Sequence, residues 1–187
     1  MEETNTNLDG GAAENSVQTP PALTQSQIDD IKDKLRLEQN LPLGIGISAL
    51  IAIVGAILWG VITVATNHQI GYMAVAVGFI VGYGNRYFGK GIDPVFGIIG
   101  GVFALIGCVI GNYLSLIGFA SQEFGVDYFT VLGTIPFGEA MNALFSDIDG
   151  YDILFYGLAL YEGYKFSFRQ ITEDDLKQHL VIEQPAQ

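Results

Sequence analysis

The sequence predicts an all-α integral membrane protein: four transmembrane helices in two hairpins, both termini cytoplasmic, and a short amphipathic helix in the outer connection. Three observations predict it. Half of the 187 residues are hydrophobic and only 15% are charged, too apolar for an ordinary soluble domain. The apolar residues cluster in four runs. The eight Lys and Arg residues avoid two of the connections between those runs.

Taken in chain order, residues 1–22 are rich in Asn, Thr, Gly, Ala, Pro and Gln without hydrophobic periodicity, which predicts a disordered cytoplasmic tail. The opening "MEETNTNLDG" is acidic and polar, so no cleavable signal peptide is expected and the first apolar run acts as the anchor. Residues 23–40 predict a cytoplasmic amphipathic helix. Ser26 is its candidate cap, Asp29 and Asp30 favour its positive end, and Ile28, Ile31 and Leu35 form one stripe. That stripe suits the inner leaflet, the underside of a bundle or a partner helix.

The membrane domain spans 41–168. Its first helix, 43–65, has 23 residues without a charge, about 34 Å of helix against a hydrocarbon core of about 30 Å. The second helix is expected over 70–88 and the third over 94–118. The fourth, 150–168, has the weakest apolar signal because it contains Asp152, Glu162 and Lys165. The connection 119–149 is too long for a turn. Thr134 as cap, Pro136 in the first turn, and Phe137, Ala140, Met141, Leu144 and Phe145 at helical spacing predict an amphipathic helix. It suits the outer surface, a cap over the bundle or a re-entrant segment. Residues 169–187 form an acidic cytoplasmic tail, with a short helix expected from Thr172.

The basic residues set the threading. Lys32, Lys34 and Arg36 precede the first helix, Arg86 and Lys90 sit at the junction of the second and third, and Lys165, Arg169 and Lys177 end or follow the fourth. The connections 66–69 and 119–149 have none. Lys and Arg stay cytoplasmic during insertion, so all eight fall inside. A plasma (inner) membrane location with both termini cytoplasmic is expected.

Residues 81–84, Val-Gly-Tyr-Gly, resemble the potassium-channel selectivity filter. The resemblance implies an outer helix over 44–65, a pore helix over 70–80 and an inner helix over 95–118. The charge pattern opposes it, because a filter loop entering from outside would place Arg86 and Lys90 beside a cation entrance. The threonine whose oxygens line that filter is replaced by Ile80.

The glycines have a plainer use. Small residues recur at Ser48, Ala52, Ala56 and Gly60; at Gly71, Ala74, Gly78 and Gly82; and at Gly100, Ala104, Gly107, Gly111, Ser115 and Gly118. Such stripes let helices approach closely in lipid. The Gly-x-x-x-Gly pairs Gly78/Gly82, Gly97/Gly101 and Gly107/Gly111 are candidate helix-packing sites, one within the bundle and another for self-association. A register aligning Gly71, Tyr72, Gly78 and Gly84 with Gly150, Tyr151, Gly157 and Gly163 points to a parallel repeat of a two-helix hairpin.

The second and fourth helices both end in aromatics interleaved with basic residues, the pattern of a headgroup-level anchor. Arg86, Lys90, Glu162, Lys165 and Arg169 form a candidate inner-boundary polar or lipid site. Glu162 is expected to pair with Lys165 or Arg86. Cys108 reads as a packing residue. His68 and His179 fall on opposite sides of the membrane, so they share no metal.

No catalytic constellation, nucleotide loop, metal cluster or cofactor site is expected. The chain reads as a non-enzymatic structural, assembly or accessory component, partnered by the bilayer, by itself or by another membrane protein, and not by nucleic acid. The alternative is a small-solute or ion conduit lined by Glu162, Asn85 and Asn112.

Overall fold

A computed structural model describes residues 24–146 and 148–172. These residues form seven helices and no strand: α1 (Gln25–Leu37), α2 (Leu41–Thr66), α3 (Tyr72–Gly89), α4 (Pro94–Phe124), α5 (Tyr128–Thr134), α6 (Phe137–Ser146) and α7 (Gly150–Phe166). The tail expected over 1–22 falls on residues outside this description, as does all but Thr172 of the helix expected to start there.

The bundle consists of α2, α3, α4 and α7, in contact as α2/α4, α3/α7, α2/α3, α4/α7 and α3/α4. The glycine contacts fix the directions. Gly107 meets Ala52, Gly111 meets Trp59 and Gly118 meets Val64, so α2 and α4 run parallel. Gly78 meets Ala159 and Gly82 meets Gly163, so α3 and α7 also run parallel. Gly55 on Val77 with Gly84 on Ile51, and Gly97 on Tyr164 with Gly101 on Leu160, make α2/α3 and α4/α7 antiparallel hairpins. The register proposed for a repeat places Gly84 opposite Gly163. Gly84 contacts the first helix of its own hairpin, at Ile51 and Ile47, and Gly163 does the same at Gly100 and Ala104. The match is partial, because Gly78 packs on Ala159 while Gly157 has open space beside it.

Two of these helices, α2 and α4, are long and apolar enough to cross a membrane, at 26 and 31 residues. The shorter α3 and α7, 18 and 17 residues, do not meet that measure alone. Their apolar content is diluted by glycine, tyrosine and the charged Arg86, Asp152, Glu162 and Lys165.

The bundle is small inside and large outside. Ser48, Ala52, Ala56, Ala74, Ala104, Cys108 and Ala159 are buried with the glycines between them. Leu50, Val61 and Ile98 lie 56%, 62% and 57% exposed. Trp59 and Phe96 are the largest fully buried side chains.

Several local expectations change. In α1 the cap is Thr24 rather than Ser26, with Gln27 Oε1 accepting from the Thr24 N–H at 3.0 Å. Ile31 and Leu35 are buried within the chain while Ile28 is partly buried. The third bundle helix continues beyond 118 to Phe124 and stops at Gly125, whose φ of 60° is the left-handed conformation glycine adopts without strain. Among the described residues, the connection 119–149 holds two separate helices rather than one, α5 and α6. Thr134 ends α5, its hydroxyl donating back to Thr130 O at 2.7 Å, so it does not cap the following helix. In α6 only Ala140 is buried, while Phe137 and Phe145 are exposed.

Candidate functional site

The basic end of the bundle is built from segments far apart in sequence. Gln39, between α1 and α2, reaches the α3–α4 connection: its Oε1 accepts from Ile92 N at 2.8 Å and Asp93 N at 3.1 Å, and its Nε2 donates to Asp93 Oδ2 at 2.8 Å. Asp93 also accepts from Arg36 Nε at 3.1 Å, an interaction that raises the Arg36 pKa above its ordinary range. Asp93 therefore makes no side-chain cap on α4, and Gln39 serves the neighbouring backbone N–H groups from outside the helix. Asn40 N donates to Gly89 O at 2.9 Å, and Arg169 N donates to Gly91 O at 2.8 Å. The Arg169 side chain also pairs with Glu38 at 2.7 Å.

Just inside this end lies Asn85, fully buried. Its Nδ2 donates to Phe96 O at 2.7 Å and to Ser167 Oγ at 3.2 Å, and Ser167 Oγ donates to Gly163 O at 2.6 Å. Asn85 thus ties α3 to α4 and to the end of α7. Its Oδ1 has no hydrogen-bond partner and lies against Gly44 and Gly89.

Three cations converge on the flank of this end. Tyr83, Arg86, Tyr87, Lys90 and Arg169 line one cavity of about 270 Å³. Lys90 ends α3 in the left-handed conformation, with its N–H on Arg86 O at 3.1 Å. The Arg86 guanidinium lies 5.8 Å from the Tyr83 ring centre. Of the residues proposed together at this boundary, Lys165 and Glu162 do not line this cavity. Lys165 sits over the Tyr161 and Phe166 rings at 5.2 and 5.7 Å. Glu162 makes neither of its expected ion pairs: among the described residues no ion pair to Lys165 or Arg86 forms. The rings of Tyr161 and Phe166 take the ammonium that i,i+3 spacing assigned to the carboxylate.

The acidic end is looser. Gln69 Nε2 donates to Asn112 Oδ1 and to Asp152 Oδ1, both at 3.4 Å, and Asn112 Nδ2 donates to the Tyr156 hydroxyl. Gln69, Asp152 and Tyr156 line two adjoining cavities of about 250 and 400 Å³. Trp59 also lines the larger, and its buried Nε1–H has no partner. Of these, Asn112 is visible in the sequence as a polar break in an apolar run. Asp152 is visible likewise as a charge within the fourth run, whereas Gln69 and Tyr156 give no such signal. At the start of α5, Asp127 accepts from Phe129 N at 3.1 Å, Thr130 N at 2.9 Å and Thr130 Oγ1 at 2.6 Å. These bonds, the Thr130 hydroxyl foremost, hold its carboxyl below the usual range.

Between the two ends the helices close on each other. A Cβ at Gly78 would lie 2.5 Å from Ala159 O, one at Gly100 would run into Gly163 O, and one at Gly107 would lie 3.3 Å from Ala52 O. All three Gly-x-x-x-Gly pairs are used within the chain: Gly78/Gly82 and Gly97/Gly101 on α7 and its C-terminal extension, Gly107/Gly111 on α2 and Val77. Residues 81–84 are regular α-helix within α3, with Val81, Gly82 and Gly84 buried and Tyr83 facing out. Among the described residues no group of three or more His, Cys, Asp or Glu side chains is placed to hold a metal ion.

Comparison of the chain with protein-family models, with curated proteins and with solved structures finds no match.

Proposed function

We propose that this chain is a four-span protein of the plasma (inner) membrane, with both termini cytoplasmic, serving as a non-enzymatic structural or accessory component. The observation that carries the reading is the inverted packing: glycine and alanine face inward and large aliphatic side chains face outward on the bundle helices. In water such an exterior is a liability. In lipid it meets a solvent as apolar as itself, and small interior residues become the way to bring helices together.

Two further observations support the four spans. At 1.5 Å per residue, α2 and α4 measure about 39 and 46 Å, and α3 and α7 about 27 and 26 Å. Since α3 and α7 pack along α2 and α4, a slab that contains the long pair also contains the short pair. The seven described basic residues, Lys32, Lys34, Arg36, Arg86, Lys90, Lys165 and Arg169, belong to the end of the bundle where α1, the start of α4 and the end of α7 meet. The opposite end carries Glu123, Asp127, Glu139, Asp149 and Asp152. That sorting supports placing the basic end in the cytoplasm.

The close-packed centre favours a scaffold over a conduit. A filter requires carbonyl oxygens turned toward an ion path, and those of residues 81–84 belong to a helix. Asn85, a candidate lining residue, has its amide nitrogen committed to Phe96 O and Ser167 Oγ.

The test uses a Cys108→Ser background with single cysteines at Asp33, Ile92, Val126 and Gln170, labelled with an impermeant thiol reagent on intact and permeabilised cells. Val126 is expected to label on intact cells, and the other three only after permeabilisation. Labelling of Ile92 from outside would mean that α3 does not cross, which ends the four-span reading. Potassium or small-solute flux above that of empty vesicles from the reconstituted protein would replace the scaffold by a conduit.

A further inference from the structure

We propose that the cavity formed by Tyr83, Arg86, Tyr87, Lys90 and Arg169 is a binding site for a phosphate group, presented as the headgroup of an anionic phospholipid in the leaflet at the basic end. This rests on the membrane reading above and adds a ligand to it.

The cavity is assembled by the fold rather than by one stretch of chain. Arg86 and Lys90 stand on consecutive turns of the α3 C-terminus, and Arg169 comes from beyond α7. The backbone bond from Arg169 N to Gly91 O, 2.8 Å, fixes the third cation beside the first two. The volume, about 270 Å³, is on the scale of a small polar headgroup and far below a folded partner. Among the described residues, charge is left over after the ion pairs are counted. Arg169 meets Glu38 at 2.7 Å, whereas among the described residues no carboxylate lies within 4 Å of Arg86 or Lys90. Two cations that meet no carboxylate among the described residues stand together in a chain of net charge −12, a concentration that favours an anionic ligand.

The aromatic pair argues for the lipid source. Tyr83 and Tyr87 are exposed on the same face of α3, Tyr87 by 67%. Tyrosines at the end of an apolar helix settle at headgroup depth, which is where lipid phosphates lie and where Arg and Lys side chains reach for them. A guanidinium offers paired N–H donors to phosphate oxygens, and the lysine adds a point charge. Lys165, held over Tyr161 and Phe166, stands outside this group.

The experiment compares full-length wild type with R86Q/K90Q and with K32Q/K34Q, which removes the same charge from α1. Each protein is purified from mixed phosphatidylcholine and phosphatidylglycerol vesicles, and retained lipid is counted by native mass spectrometry. Wild type and K32Q/K34Q are expected to retain phosphatidylglycerol selectively, and R86Q/K90Q to lose roughly tenfold or more of that selectivity. Inorganic phosphate is titrated separately into the delipidated protein. Equal retention by R86Q/K90Q and wild type overturns the site, as does an equal loss in K32Q/K34Q. Binding of inorganic phosphate without lipid selectivity overturns the lipid source and assigns a soluble phosphate. Thermal unfolding checks that the variants fold, and cysteine labelling of R86Q/K90Q checks its orientation. A wild type that labels as a four-span protein but retains no anionic lipid loses this site alone, whereas failed labelling removes the membrane reading beneath it.

Discussion

Replacing Gly78 by alanine tests whether backbone-to-backbone approach holds the bundle together. The added Cβ would lie 2.5 Å from Ala159 O, 2.9 Å from its Cα and 3.1 Å from its carbonyl carbon. Carbon–carbon contacts relax near 3.5–4.0 Å, so α3 and α7 must part by about 0.6–1 Å. The obstructing atoms are main chain and cannot rotate aside. Overpacking of this kind costs about 1–3 kcal/mol, opposed by the gain of about 1 kcal/mol in helix propensity from glycine to alanine. Gly157, on α7, separates the two terms, because a Cβ there meets nothing within 4 Å. Gly157→Ala gains propensity without a clash, so the difference between the two variants isolates the clash at about 1–3 kcal/mol. Unfolding by dodecyl sulfate in mixed micelles, followed through the fluorescence of the single, 1% exposed Trp59, measures both. Equal stability of Gly78→Ala and Gly157→Ala would refute the reasoning.

Three further outcomes follow from particular contacts. Gln39→Ala removes the acceptor for Ile92 N and Asp93 N, and the unfolding midpoint should fall by the equivalent of about 1–3 kcal/mol with faster amide exchange over 91–94; exchange unchanged there would contradict the tie. Asn85→Ala should destabilise by about 1–3 kcal/mol in the same assay, and Asn85→Leu by more, since the site faces Gly44 and Gly89 closely; a stabilising leucine would contradict this. Because the folded Asp127 carboxyl titrates below its ordinary value of 3.8, its contribution to α5 is complete above that value and is lost as pH falls through the lowered pKa. Amide protection at 129–131 should drop over that acidic window, and the step should vanish in Asp127→Asn.

The parts of the fold legible in the sequence were those carried by one segment. The apolar runs 43–65 and 150–168 became Leu41–Thr66 and Gly150–Phe166, because an apolar run without an internal proline marks a helix, although only the first is long and apolar enough to cross a membrane. The third helix was drawn too short. Its apolar run ends at Gly118, but nothing breaks the backbone until Gly125 takes a positive φ. The Gly-x-x-x-Gly pairs announced close packing without naming partners, since glycine carries no directional side chain. Gly97/Gly101 turned to α7, and Gly107/Gly111, on the same helix, to α2 and α3. Arg86 and Lys90 were legible as a boundary pair, but Arg169 joined them through a backbone bond to Gly91, which spacing cannot encode. Gln39 was missed for the same reason: its partners lie more than fifty residues away.

The two ends of the bundle are held by different physics, and this sets where it opens. At the basic end, directional bonds join α1, the α3–α4 connection and the chain beyond α7, among them Asn40 N to Gly89 O and Arg169 N to Gly91 O. Breaking any one strains the others, because each anchors a segment that another also holds. At the acidic end, α5 and α6 pack principally on α4 and bury only Val131 and Ala140. An apolar groove of about 620 Å³ runs there between α2, α4 and α5. Local opening follows few buried contacts and exposed backbone bonds, so α5 and α6 should exchange their amides well before the segment 85–93. Where α5 and α6 instead exchange as slowly as 85–93, they are part of the bundle's cooperative unit, and the acidic-end cavities bounded by Gln69, Asn112 and Asp152 are fixed rather than able to breathe.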